Sequence, residues 1–217
     1  TLRNSSAASD VYKRQVTRDG GHGGGSPGNG GRAAISIAPT GDLWHIAGVT
    51  EGEKTMFREN RLKRKIAADE AVYGFWLGLG DPALAEMASA AGYDFVIIDN
   101  EHGQQTYAQT LDLMRAARAG DATVMVRPSG QHADEIKRLM DMGAEALMVP
   151  MIQSAGEAEA MVAAALYPPA GVRGYAAPGV RASGYGMVAD YAARANDELL
   201  FVAQIETRQA IDNVAAI

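Results

Sequence analysis

The amino-acid sequence predicts an α/β fold of the (β/α)8-barrel type, and three observations predict it. From residue 72 onward, short apolar runs alternate five times with segments of helical periodicity. The runs are continuously apolar, which is typical of parallel strands covered by helices. No G-x-G-x-x-G follows the first strand, which disfavours a doubly wound dinucleotide-binding sheet. Because a barrel needs eight units and about 250 residues, we expect a barrel truncated after about five β/α units.

The first two units carry clear boundary signals. A strand is predicted over 72–80 and a helix over 81–92, in which Asp81 can cap the first turn and Gly92 can end the last. The second strand is predicted over 93–101 and its helix over 106–120.

The later units repeat this pattern. Ser154 is predicted to cap the fourth helix, with Glu157 at the capping-box position. The predicted elements are strand 122–128, helix 131–143, strand 144–152, helix 154–169, a short helix 187–196, strand 198–207 and helix 208–217.

The N-terminal quarter has a different character. Residues 20–31 contain eight glycines, and such a stretch cannot bury enough apolar surface to fold. We interpret residues 1–55 as a non-native or disordered extension and residues 56–217 as a partial barrel domain. A purine-rich codon run can encode residues 52–54, so we expect translation to begin at Met56, ahead of a short basic helix within 56–70.

Composition narrows the classes of function. The chain lacks cysteine, which fits a reducing compartment and leads us to expect the cytoplasm. Residues 66–217 carry a net charge of −11, which disfavours nucleic acid as a partner. No apolar run approaches the roughly 18 residues of a membrane span.

Polar or aromatic side chains lie at the predicted ends of most strands. Because the carboxyl ends of parallel strands meet at one edge, these side chains should converge there. They are Trp76, Asp99, Glu101, His102, Arg127, Gln204 and Glu206.

This set of residue types suggests metal-assisted chemistry. Glu206 and Gln204 are two residues apart and should share a face, and a carboxylate there suits Mg²⁺ or Mn²⁺. Asp99 could orient the imidazole of His102 and raise its basicity. Arg127 supplies a fixed positive fork for a carboxylate or a developing enolate.

Each of these residues also has a purely structural interpretation. Asp99 could cap the following loop, and Trp76 could pack the mouth of the barrel. Glu206 could cap the fifth helix, and His102 could be an ordinary loop histidine. For Glu101 we expect solvation rather than a role in the site.

Several segments together resemble one known family. The segments GFWLGLGDPALAE, AGYDFVIIDNEHG, VMVRP, GAEALMVPMIQSAGEAE, YPPAGVRGY and VAQIET are similar, in order and spacing, to the HpcH/HpaI aldolase and citrate lyase family. The resemblance covers roughly residues 57–217. It implies a (β/α)8 barrel and a divalent metal ion, Mg²⁺ or Mn²⁺ with Co²⁺ as an alternative.

The resemblance also implies roles for individual residues. Glu206 would hold the metal together with an aspartate in a segment beyond Ile217. Gln204, Arg127 and Trp76 would line the substrate site. His102, held by Asp99, would act with a water molecule as the acid and base.

The implied activity is carbon–carbon lyase chemistry. The enzyme, an aldehyde-lyase, would cleave a 2-keto-4-hydroxy acid or diacid to pyruvate and an aldehyde, with loop 173–186 bordering the aldehyde pocket. The resemblance further implies a homo-oligomer, often a hexamer. Two alternatives stay open: cleavage of a citryl or malyl thioester, and an inactive fragment that lacks the second metal ligand.

Overall fold

The computed structural model describes residues 57–217, in which five parallel strands form one sheet. The order of the strands in the sheet is the order of the chain, β1-β2-β3-β4-β5. A doubly wound sheet reverses its order at a switch point, whereas a barrel winds in one direction. The sequential order therefore confirms barrel-type winding. The expected extension, residues 1–55, and the expected start at Met56 lie outside the described residues.

Each strand except the fourth is followed by one helix before the next strand begins, and a further helix precedes the first strand. The strands are β1 (Gly74–Leu77), β2 (Phe95–Asp99), β3 (Thr123–Arg127), β4 (Ala146–Val149) and β5 (Leu200–Ala203). The α-helices are α1 (Arg61–Ala67), α2 (Pro82–Ala90), α3 (Tyr107–Ala117), α4 (Ala133–Met142), α5 (Ala155–Ala165), α6 (Tyr191–Glu198) and α7 (Arg208–Asn213). Two 3₁₀ turns, Ala177–Gly179 and Arg181–Ser183, lie between α5 and α6. No helix within residues 57–217 is both long and apolar enough to cross a membrane.

The largest departure from the sequence prediction concerns the fifth strand. The predicted strand 198–207 is shorter in the structure, because Glu198 still belongs to α6 and the pairing with β4 ends at Ala203. The strand stops there because β4 ends at Val149 and the chain turns away at Pro150. Gln204 and Glu206 therefore follow the strand and are not part of it.

The two faces of the sheet bury different side chains. One face packs against the helices and includes Val96, Ile98, Val124 and Val126, all almost fully buried. The intervening residues point to the opposite face, where Ile97 and Met125 form a second cluster with Leu62 of α1. Trp76, Asp99 and Arg127 have this second parity, so they extend the inner face toward the carboxyl ends of the strands.

Helix α1 closes the amino ends of the strands. The backbone N–H of Leu62 donates to Thr123 Oγ1 at 3.3 Å, at the first residue of β3. Asn60, the buried N-cap of α1, donates through Nδ2 to the carbonyls of Glu145 and Glu198 at 2.8 and 2.9 Å. This end of the inner face is therefore sealed by the chain itself.

The loop 173–186 lies near these amino ends. Arg181 Nη1 donates to the carbonyl of Met142 at 2.7 Å, at the last residue of α4. Because α4 ends immediately before β4 begins, this part of the loop packs away from the carboxyl edge. The implied contact of loop 173–186 with an aldehyde pocket stays a prediction.

Candidate active site

The last residues of β2 and β3 form a bidentate ion pair. Asp99 and Arg127 are register partners in the parallel ladder. Arg127 Nε donates to Asp99 Oδ1 at 2.9 Å, and Nη2 donates to Oδ2 at 2.5 Å. Both side chains are almost fully buried. Two parallel charge-assisted bonds fix the plane of the guanidinium, which is the geometry needed to present it to a ligand.

Asp99 accepts further donors that keep it ionised. Trp76 Nε1 donates to Oδ2 at 3.0 Å, and the backbone N–H groups of Glu101 and His102 each donate to Oδ1 at 3.1 Å. Burial alone would raise the pKa of Asp99. The hydrogen bonds from Arg127, Trp76 and the backbone outweigh burial and lower the pKa to about 2.

Trp76 forms a wall of the site beside Arg127. The guanidinium carbon lies 4.8 Å from the centre of the indole ring, which is a cation–π distance. The Trp76 side chain is 46% exposed, so its outer surface is open to a ligand. The sequence allowed Trp76 either to pack the mouth of the barrel or to contact substrate. In this position Trp76 can do both, because one face packs against Arg127 and the other is open.

Glu101 belongs to the site, contrary to the expectation that it is solvated. Arg127 Nη1 lies 2.9 Å from Glu101 Oε2, and the Glu101 side chain is only 18% exposed. Spacing from Asp99 could not have found it, because Glu101 lies in the turn after β2, where the alternation of strand side chains no longer applies. Arg127 is therefore gripped by two carboxylates.

His102 is held differently from the sequence prediction. Asp99 binds its backbone N–H rather than its imidazole, since the Asp99 oxygens are already saturated by other donors. The imidazole is 74% exposed, and its Nε2 lies 3.9 Å from Glu101 Oε1. The expected hydrogen bond between the Asp99 carboxylate and the imidazole is thus wrong in this structure, and Glu101 is the carboxylate beside the ring.

Glu206 lies within electrostatic range of Arg127. The pKa of Arg127 is raised, chiefly by its hydrogen bonds to Asp99, and the charge of Glu206 adds to this rise. Glu206 is exposed, and its Oε1 accepts the backbone N–H of Met151 at 2.8 Å. Gln204 follows β5, and within residues 57–217 no donor forms a hydrogen bond with its buried Oε1.

These oxygens fit part of a site for a hard divalent cation. One carboxylate of Glu206 and one amide oxygen of Gln204 are the donor types that Mg²⁺ and Mn²⁺ prefer. Within residues 57–217, no three acidic, histidine or cysteine side chains come together in a metal-binding group. Such cations often bind through one or two carboxylates and fill the remaining positions with water and substrate oxygens. The residues present therefore suit such an ion, but they supply only some of the oxygen ligands that it coordinates.

Comparison with known proteins identifies the family. The sequence profile of the HpcH/HpaI aldolase/citrate lyase family matches residues 72–217. The chain belongs to this family. Aldolases of the HpcH/HpaI family generally depend on a divalent metal.

Relatives within the HpcH/HpaI family cover much of the chain. A 4-hydroxy-2-oxovalerate aldolase from Novosphingobium aromaticivorans is 42% identical over 159 residues, which is 73% of this chain and 60% of that protein. A hydroxypyruvate/pyruvate aldolase from Sagittula stellata is 40% identical over 159 residues, or 73% of this chain and 62% of that protein. The chain thus spans about 60% of the length of these relatives.

A solved HpcH/HpaI structure supports the barrel interpretation. The crystal structure of a family protein from Burkholderia cenocepacia J2315 superposes with a TM-score of 0.70 at 34% identity, over 73% of this chain and 64% of that chain. The five units described above are therefore a partial family barrel.

Proposed function

We propose that this protein is a carbon–carbon lyase that cleaves a 2-keto-4-hydroxy acid to pyruvate and an aldehyde. The observation that carries the proposal is the bidentate Asp99–Arg127 pair at the carboxyl edge of the sheet, with Glu206 close enough to raise the pKa of Arg127. In parallel barrels this edge carries the chemistry. Membership of a family of aldolases supports the same reaction class.

The charges of the mouth favour a divalent cation as cofactor. The carboxylates of Asp99, Glu101 and Glu206 face one guanidinium, that of Arg127, which gives a formal charge of −2 with a neutral imidazole. An anionic keto acid would be repelled by this mouth. A divalent cation restores neutrality, so we propose that keto acids bind only after Mg²⁺ or Mn²⁺ has bound.

The residues have distinct roles in the proposed reaction. Glu206 would hold the cation, which would supply Lewis-acid stabilisation of the negative charge that develops on the keto oxygen, and Gln204 would line the site of the keto acid. Arg127, fixed by Asp99, donates to the same oxygen through guanidinium N–H groups not used by its carboxylate partners. His102 takes the proton from the 4-hydroxyl group, because its imidazole is exposed at the mouth and lies beside Glu101.

The decisive experiment is pyruvate release from 4-hydroxy-2-oxo acids by the purified protein, with Mn²⁺, with Mg²⁺ and after chelation. We expect chelation and Glu206→Gln to abolish turnover, and His102→Ala to lower kcat by at least 100-fold. Glu159→Gln on the exposed surface of α5 is the matched control and should retain activity. Undiminished turnover in Glu206→Gln would refute the metal role.

The same assay separates the alternatives. Cleavage of a malyl thioester to an acetyl thioester and glyoxylate, or of a citryl thioester to an acetyl thioester and oxaloacetate, would favour the thioester lyase if no pyruvate is released from the keto acids. Absence of both activities in a folded protein would favour the inactive fragment. Assembly as a hexamer and location in the cytoplasm stay predictions, and native mass spectrometry tests the first.

A further inference from the structure

The turn that follows β4 adopts an unfavourable backbone conformation. Met151 has φ of 58°, in the left-handed region that residues with a side chain rarely occupy. Such a conformation persists only where the surrounding contacts hold it, and it is found disproportionately at functional sites. Met151 lies at the carboxyl edge of the sheet, next to the proposed active site.

Gln131 holds this turn from the side of β3. Its Nε2 donates to the carbonyl of Met151 at 2.7 Å and to that of Pro150 at 3.3 Å. Gln131 itself lies on an anchored loop. Ser129 donates through its backbone N–H and its hydroxyl to the buried Glu135 carboxylate, at 3.1 and 2.6 Å.

Glu206 accepts a hydrogen bond from the backbone on the other side of the Met151 Cα atom. The backbone N–H of Met151 donates to Glu206 Oε1 at 2.8 Å. The segment after β5 is also tied to the segment after β4, because Thr207 Oγ1 donates to Gln153 Oε1 at 3.2 Å. The loops that follow β3, β4 and β5 are thus linked in series by side-chain hydrogen bonds.

We propose that Gln131 is a positioning residue for Glu206 and acts through the Met151 peptide. By holding the Met151 carbonyl, Gln131 keeps the turn in its left-handed conformation and aims the Met151 N–H at the Glu206 carboxylate. One oxygen of that carboxylate is then fixed before any ligand arrives. The consequence for metal affinity rests on the proposed function, in which Glu206 holds the cation.

The positioning is tested first in the metal-free protein by amide hydrogen exchange at Met151. We expect Gln131→Ala and Glu206→Ala each to accelerate exchange of this amide at least tenfold, because each removes one of the contacts that hold it. Gln131→Glu is a second variant of nearly the same shape that cannot donate, and it should behave like Gln131→Ala. The matched control, Gln209→Ala on the exposed surface of α7, should leave the Met151 amide unchanged.

Exchange at the buried amides of β3 shows in each variant that the fold is intact. If the Met151 amide exchanges equally fast in the wild type and in both Gln131 variants, the proposal is overturned.

The second measurement is Mn²⁺ affinity by isothermal titration calorimetry. Removing a group that orients a metal ligand typically weakens affinity 10- to 100-fold, so we expect about a tenfold loss in Gln131→Ala and less than twofold in Gln209→Ala. Equal Mn²⁺ affinity in the wild type and Gln131→Ala would overturn the inference while leaving the proposed function intact. If the wild type binds no Mn²⁺, the proposed function fails, and the exchange experiment alone decides the positioning role.

Discussion

Each end of the sheet holds a carboxylate that forms ion pairs with arginine, and the two ends differ in what covers this carboxylate. At the amino ends, Glu145 accepts Arg58 Nε at 2.8 Å and Arg118 Nη1 at 2.6 Å. Its Oε2 also accepts the backbone N–H of Val124 at 2.7 Å. At the carboxyl ends, Asp99 is the matching buried carboxylate, paired with Arg127.

The difference lies in the neighbours. The segment around α1 covers the amino ends and brings Arg58 itself to Glu145. The carboxyl ends instead present Trp76, half exposed, and His102, 74% exposed. The Glu145 ion pairs are covered by the chain and therefore stabilise the fold. The Asp99–Arg127 pair has similar chemistry but lies beside accessible side chains, so it is open to a ligand. This division matches the general one between the two faces of a barrel.

The sharpest test of this contrast replaces one arginine at each end by lysine. Lysine keeps the positive charge but loses the planar fork. We expect Arg127→Lys to lower kcat/KM for pyruvate release by about 100-fold, which corresponds to about 2.7 kcal/mol. Arg58→Lys should change kcat/KM by less than threefold. Similar losses of kcat/KM in both variants would contradict the assignment of catalysis to the carboxyl ends and of stability to the amino ends.

Removing one carboxylate at each end should give the opposite order when the free energy of unfolding is measured: the variant at the amino ends should lose more than the variant at the carboxyl ends. Glu145→Gln removes the carboxylate that both partly buried arginines contact and should lower the free energy of unfolding by about 3 kcal/mol. Asp99→Asn should cost about 2 kcal/mol, because Arg127 keeps its contact with Glu101. Urea denaturation of both variants measures the difference. A larger loss of unfolding free energy in Asp99→Asn would show that the Asp99–Arg127 pair contributes more to stability than the ion pairs of Glu145.

Much of this architecture could be predicted from local sequence. Capping by Asp81 and Ser154 is confirmed by their hydrogen bonds to the backbone N–H groups of Ala83 and Glu157. The Glu157 carboxylate instead accepts the backbone N–H of Gln153, so the expected capping box is incomplete. The proximity of Asp99 and Arg127 follows from parallel strands of similar length, because both residues end their strands.

The remaining features depend on contacts between distant segments. The end of β5 depends on where β4 turns, and nothing in the residues 198–207 reports that turn. Whether Asp99 binds an imidazole or a guanidinium depends on the side chain brought beside it by β3. The left-handed conformation of Met151 has no local sequence signal, since methionine does not favour it.

Acid should weaken both ends together. The pKa of Asp99 is lowered to about 2, where hydrogen bonds outweigh burial, and the pKa of Glu198 is lowered to about 2, chiefly by hydrogen bonding to Arg64. Because both folded pKa values lie below the ordinary values of about 4, the stabilisation is present above about pH 5 and is lost as the pH falls toward 2. For buried Asp99 the loss is on the order of 2 kcal/mol.

Thermal unfolding between pH 3 and pH 7 measures this acid dependence. Asp99→Asn and Glu198→Gln should each flatten the acid limb of the wild type, because each removes one titrating group from it. An unchanged acid limb in both variants would assign the acid sensitivity to other carboxylates.

The smallest effect is expected from Trp76→Phe. This variant tests how much the single hydrogen bond from the Trp76 indole N–H to Asp99 contributes to stability and activity at the carboxyl ends. Phenylalanine keeps an aromatic face near the Arg127 guanidinium but cannot donate to Asp99, whose other donors remain. The loss of one hydrogen bond to a charged group should lower the free energy of unfolding by about 1.5 kcal/mol. It should lower kcat/KM less than tenfold, because Arg127 stays fixed by its two carboxylates. A loss as large as that of Arg127→Lys would mean that the indole itself contacts the substrate, so that the exposed face of Trp76 takes part in binding as directly as the guanidinium.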